Sequence, residues 1–264
     1  MEIKLITAAA MRIAKISLSC LLIAYISGYF YISYFNADPY EFFKKVSFNT
    51  RLTEPIRESA RHNNIDNGIV IFIHNSTAAI LFIAPLFLAA SGYMKRIFHD
   101  IDNTPSNKPG IRLLSMAAGL AQNSSQKLIN LASLLTCTNR LAMGIIFLLV
   151  GFAIAAGGKI FGNQLLIIPW IFPHGILELT AAFFAAGLPL ALFAFIKTEI
   201  DKNSEADTFI LSRRFTGSRP VIIAITGIFI ALFIAGQIEA KVSPKALKYF
   251  QNASAVIDKT EKAK

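Results

Sequence analysis

Long apolar runs alternate with polar, turn-rich stretches and divide the chain into five hydrophobic segments and their connections. The first run, residues 16–35, follows a lead holding Lys4, Arg12 and Lys15 and carries Tyr25, Tyr29, Tyr31 and Tyr34 toward its far end. A basic lead before an uncleaved run of this length predicts a retained signal anchor, with residues 1–15 cytoplasmic and the tyrosine rings at a headgroup boundary. Residues 36–67 are polar and mixed in charge, but Tyr40, Phe42, Phe43 and Phe48 predict that they fold back on the membrane surface. A second crossing is expected over 69–91, with His74, Asn75, Ser76 and Thr77 near its start and Pro85 further on.

The connection 92–140 is the longest. Its first part is rich in Asn, Ser, Pro and Gly, which predicts turns. Its second part, 112–136, shows helical spacing of apolar residues and predicts amphipathic helices at the interface. Residues 141–157 make a short third crossing, followed by a polar turn over 159–164. The fourth segment, 165–196, is too long for one perpendicular crossing: at 1.5 Å per residue it spans about 48 Å against a hydrocarbon core of about 30 Å. Pro173 therefore reads as a helix start, with a re-entrant piece before it and a full crossing after it. The fifth crossing, 221–236, repeats small residues at Gly227, Ala231 and Ala235, a stripe suited to close helix packing. Residues 237–264 hold six lysines and read as a basic, solvated or headgroup-associated tail.

Composition narrows the class further. The chain is 54% hydrophobic and only 16% charged, where a soluble domain carries about a quarter charged residues. The fold class expected is all-α, a polytopic membrane helix bundle of about five transmembrane helices with a broken or re-entrant fourth segment. The net charge of +10 is scattered over tails and loops without interleaved stacking aromatics, so it fits lipid headgroups and helix orientation rather than nucleic acid. With the N-terminus cytoplasmic, the cytoplasmic segments hold fourteen Lys plus Arg and the outer ones twelve, a small bias toward that orientation. Cys20 and Cys137 define neither a disulfide framework nor a thiol metal site. Cys20 also lies mid-run, where a lipoprotein cleavage site does not fall.

The candidate chemistry sits inside the fourth segment. Pro-His-Gly-Ile-Leu-Glu at 173–178 places His174 and Glu178 four residues apart, on one helical face, in an otherwise apolar run. A carboxyl group in hydrocarbon costs several kcal/mol, so it is expected to face a protein interior or a wet cavity. Pro173 and Gly175 read as the structural part of the block, loosening the helix beside the pair. Asn75 and His74 in the second crossing are candidates to complete one buried polar centre with His174 and Glu178. The pair could instead only lock a kink, binding freed backbone carbonyls. It could contribute to a metal site, with His74 or Asn75 as a third ligand. It could also carry a proton or ion. Catalysis with Glu178 as base has the weakest support, since neither a His-Glu-x-x-His pattern nor a nucleophile elbow accompanies it. Asn75-Ser76-Thr77 matches a glycosylation acceptor only formally, being inside an apolar run, and Trp170 reads as an interface anchor.

The residues Pro173 to Leu179, followed by Ala181, Ala182 and Ala185-Ala186-Gly187-Leu188, resemble the signature of the stage II sporulation protein M family. The stretch from Ile71 to Ala79, with His74 and Asn75, is similar to that family's earlier asparagine-bearing helix. The resemblance covers roughly residues 65–237 and departs from the family pattern in the long 92–140 connection and in Thr180, where proline is frequent. It implies a membrane protein of the cell envelope; the founding members act in a complex with peptidoglycan-remodelling partners. The function expected is thus a non-enzymatic scaffold or subunit of a membrane complex in the cell membrane. Its partners would be the lipid bilayer and either other proteins or a second copy of the chain, with no nucleic acid. The alternative is a transporter or channel that uses the His/Glu/Asn centre for an ion, a proton or a small solute. An intramembrane metal-dependent hydrolase is the remote third.

Overall fold

A computed structural model describes residues 1–46, 65–91, 124–162, 167–203 and 207–245, with isolated positions at 58, 60, 62, 63 and 248. The described residues form seven helices in chain order: α1 Glu2–Tyr34, α2 Pro39–Val46, α3 Asn67–Ala90, α4 Ser124–Ile160, α5 Ile167–Lys202, α6 Thr208–Thr216 and α7 Arg219–Lys241. Among the described residues there are no strands, so the fold is all-α. Five stretches are long and apolar enough to cross a membrane: Glu2–Tyr34, Asn67–Ala90, Thr136–Ile160, Pro173–Lys202 and Arg219–Lys245. Large aliphatic and aromatic side chains lie exposed along them, among them Leu22 and Phe30 on α1, Ile80 and Leu81 on α3, and Ile223 and Ile230 on α7. Hydrocarbon is the surrounding that makes such faces favourable. The α5 span is the most enclosed of the five, with 61% of its most apolar window buried against 28–44% in the others.

Packing divides into two units. The first takes Met1–Ala14, Ala78–Met143 and Ala182–Ile228. Here the start of α1 buries Ile6, Ala9, Ala10 and Ile13, one face at helical spacing. Phe195 of α5 and Phe215 of α6 are almost fully buried, their ring centroids 5.2 Å apart. The Asp207 carboxylate caps α6 by accepting from the Phe209 amide at 2.8 Å. Arg213 Nε donates to the Ala90 carbonyl at 3.2 Å, satisfying an end carbonyl of α3. Asn139 Nδ2 donates to the Phe82 carbonyl at 3.1 Å, in the turn that Pro85 interrupts.

The second unit takes Lys15–Thr77, Gly144–Ala181 and Phe229–Lys264. The α2 helix docks through Phe42, whose ring lies 5.5 Å from Tyr31 and 5.8 Å from Phe152 of α4. Over Pro39–Val46 the segment thus packs against α1 and α4. Lys159, at the end of α4, stands 4.4 Å over the Tyr29 ring. Gly162 closes α4 at φ +70°, a left-handed conformation that glycine adopts without a Cβ penalty. A close backbone approach joins α3 and α7. A Cβ on Gly236 would stand 2.7 Å from the Gly68 carbonyl oxygen, so only glycine lets these backbones meet. Phe72 and Phe233 stack edge-to-face beside that contact at 5.5 Å.

Several boundaries differ from the expectations above. The helix is not interrupted at Pro173: α5 is one helix of 36 residues and runs through that proline. A proline there removes a single backbone hydrogen bond, to Pro169, and membrane helices tolerate this loss where neighbours enclose them. Residues 1–15 are the first turns of α1 rather than a separate tail, because their apolar face has a core to enter. Likewise α4 begins at Ser124, so the end of the 92–140 connection is continuous with the third crossing. The helices expected between 112 and 123 lie outside the described residues. Finally, α7 continues to Lys241, and the glycine that packs is Gly236; Gly227 has nothing within 4 Å of a built Cβ.

Candidate functional site

Three of the polar side chains that the sequence singled out, Asn75, His174 and Glu178, meet in the second unit. Asn75 lies on α3 and His174 and Glu178 on α5, one helical turn apart on a shared face. Asn75 Nδ2 donates to Glu178 Oε1 at 2.5 Å, joining two helices 103 residues apart in sequence. His174 is buried at 8% exposure, and its Nδ1 lies 2.9 Å from the hydroxyl of the fully buried Ser243. Glu239 of α7 enters the same cluster. One ligand-competent atom each of His174, Glu178 and Glu239 lies within 4.8 Å of the other two. The centre thus draws on α3, α5 and the end of α7.

Pro173 and Gly175 occupy the first turns of α5 beside this cluster. Gly175 is buried, and a Cβ there would sit 3.0 Å from Ile171 Cγ2 of the same helix, so its role is one of fit within α5. His74 is half-buried on α3, about 100° around the helix from Asn75. It does not belong to the His174–Glu178–Glu239 group. Glu239 and Ser243 were missed in the sequence because both fall in the stretch read as a solvated basic tail. A signal for Glu239 did exist: it lies in Gly236 to Ala240, a low-charge continuation of the fifth crossing. Ser243, set among lysines, carried none.

An ion-pair cluster stands at the start of α3. Asp66 caps that helix, its carboxylate accepting from the Gly68 amide at 2.8 Å. Lys241 Nζ lies 3.2 Å from the other carboxylate oxygen, and Gln237 Nε2 donates to the first at 3.3 Å. The Lys241 ammonium, the Gly68 amide and the Gln237 amide together hold the exposed Asp66 carboxyl below the usual carboxylate range. This set ties the end of α7, and with it Glu239, to the start of α3.

The family model of stage II sporulation protein M matches residues 17–244. The chain belongs to that family. The match begins within α1 and ends just past Ser243, so the family region holds Asn75, His174, Glu178, Glu239 and Ser243 together. It extends further at both ends than the resemblance over roughly 65–237. As a stage II sporulation protein M family member with five apolar helices of spanning length, the chain is a multi-pass membrane protein. No curated protein and no solved structure matches it.

Proposed function

We propose that this protein is a non-enzymatic subunit or scaffold of a membrane complex in the cell envelope, with the His174–Glu178–Asn75 centre holding its helices in register. The observation that carries this reading is where the polar groups spend their hydrogen bonds. Asn75 bonds Glu178 across helices, and His174 bonds Ser243 beyond α7. Polar side chains used in this way fix helix–helix register in a bilayer, where lipid tails give no hydrophobic drive for helices to associate. The N-terminus is cytoplasmic in this reading, and its partners are other envelope membrane proteins or a second copy of the chain.

The test is the mass of the particle extracted after crosslinking in native membranes. The reading expects a species well above the 29.0 kDa of one chain, retained in Glu178→Gln. A single chain at native expression, with and without crosslinker, would sink it. A second reading, an ion- or proton-coupled transporter, draws on the two carboxyl groups and the imidazole gathered within 4.8 Å. It expects cation or proton flux in reconstituted vesicles that Glu178→Gln abolishes. Correctly inserted protein that passes no tested cation ends that alternative.

A further inference from the structure

The His174–Glu178–Glu239 cluster has the composition of a metal-ligand set. We propose that it is a Zn²⁺ site, formed by one imidazole and two carboxylates brought together from α5 and α7. The three donor atoms lie within 4.8 Å of one another. Ligands about 2.1 Å from a tetrahedral zinc stand about 3.4 Å apart, so the donor–donor separations close by at most about 1.4 Å. Rotation about the side-chain bonds of two glutamates supplies that movement without shifting a helix.

The surrounding hydrogen bonds favour this use. Asn75 holds Oε1 of Glu178, leaving Oε2 to ligate. Ser243 engages Nδ1 of His174, which orients the ring and presents Nε2. Each of these ligands is thus steadied through the atom it does not need. Charge argues the same way. Two carboxylates meeting in an apolar surround repel one another, and a divalent cation between them neutralises both. The mixed nitrogen and oxygen donors suit Zn²⁺ better than Ca²⁺ or Mg²⁺, which take oxygen ligands, and Zn²⁺ binds such a set more tightly than Mn²⁺ or Fe²⁺. Three protein ligands leave the fourth position for water. Sequence separates Glu239 from the motif by sixty residues, so only the fold assembles the set.

The experiment uses the full chain in lipid nanodiscs, stripped with chelator and titrated with Zn²⁺ against a fluorescent zinc indicator. One ion per chain is expected, with a rise in thermal midpoint on binding. Glu239→Gln keeps the side chain's shape and removes one charge. It should lose the thermal rise and weaken Zn²⁺ by at least a hundredfold. Ser243→Ala, which leaves all three ligands, should weaken it ten- to hundredfold. Absence of saturable binding in the wild type overturns the proposal. So does unchanged affinity in Glu239→Gln, or in Ser243→Ala should the first variant fail to fold. Zinc bound by a single, partnerless chain would uphold the site while ending the scaffold reading, and a partnered chain without zinc would do the reverse.

Discussion

Asn75 and Asp66 illustrate two kinds of polar tie at the residue scale. Asn75 spends its donor on Glu178 within the apolar part of the bundle. Interhelical hydrogen bonds of this kind contribute about 0.6 kcal/mol on average and up to about 1.7. Asn75→Ala should therefore lower stability by about 1 kcal/mol, measured by reversible unfolding in mixed micelles. A loss above about 4 kcal/mol would mean that Asn75 steadies a charge rather than joins two helices. Asp66 acts at the helix start, and its carboxyl is held below the usual range first by Lys241. A depressed carboxyl contributes stability that is present above about pH 4 and lost as pH falls through its native value. Asparagine caps a helix about as well as aspartate, so Asp66→Asn isolates the ion pair. The variant should melt below the wild type at pH 7, and the two should converge once the pH has fallen below the lowered native value of the Asp66 carboxyl. A difference that persisted with the carboxyl fully protonated would assign the effect to something other than the charge.

At the scale of elements, α5 and the α3–α7 contact make opposite demands on substitution. Because α5 is continuous through Pro173, alanine there restores a backbone donor without opening the helix. Pro173→Ala should leave the thermal midpoint unchanged or raised, and insertion intact. Failure to insert would restore the re-entrant break expected from sequence length. Gly236 allows no such freedom, since even a methyl group meets the Gly68 carbonyl at 2.7 Å. Gly236→Val should destabilise by about 1–3 kcal/mol through overpacking. It should also loosen the Glu239 end of α7, seen as faster amide exchange over 237–243.

Membrane topology belongs to the molecule as a whole. A chain that crosses five times has its two ends on opposite sides of the membrane, and among the described residues five helices are long and apolar enough to cross. Single cysteines introduced at Lys4 and Lys248, in a chain whose Cys20 and Cys137 are changed to serine, should be labelled from opposite faces of sealed vesicles. Labelling of both from one face would remove either a crossing or the orientation. The small bias of fourteen against twelve basic residues makes this worth measuring, because positive charge near span ends sets orientation only when the difference is large.

Hydropathy alone determined the all-α class, the five crossings and the unusual pair His174 and Glu178, because a bilayer admits few alternatives to apolar helices and makes an ionisable residue within one stand out. The Pro-His-Gly-Ile-Leu-Glu block carried the family as well. What sequence could not supply was the length of the helices past the apolar cores. Lys4, Arg12 and the stretch from Gln237 look like solvated ends until Ile6, Ile13 and Ser243 are seen to have buried surfaces to enter. Nor could it predict that α5 passes through Pro173, since one lost hydrogen bond is decided by what packs around it. The partners of the pair were decided in the same way. Glu239 stands sixty-five residues from His174 yet meets it in space, near the place where Gly236 lets α7 lie against α3, a contact of backbones that leaves no periodic trace in the chain.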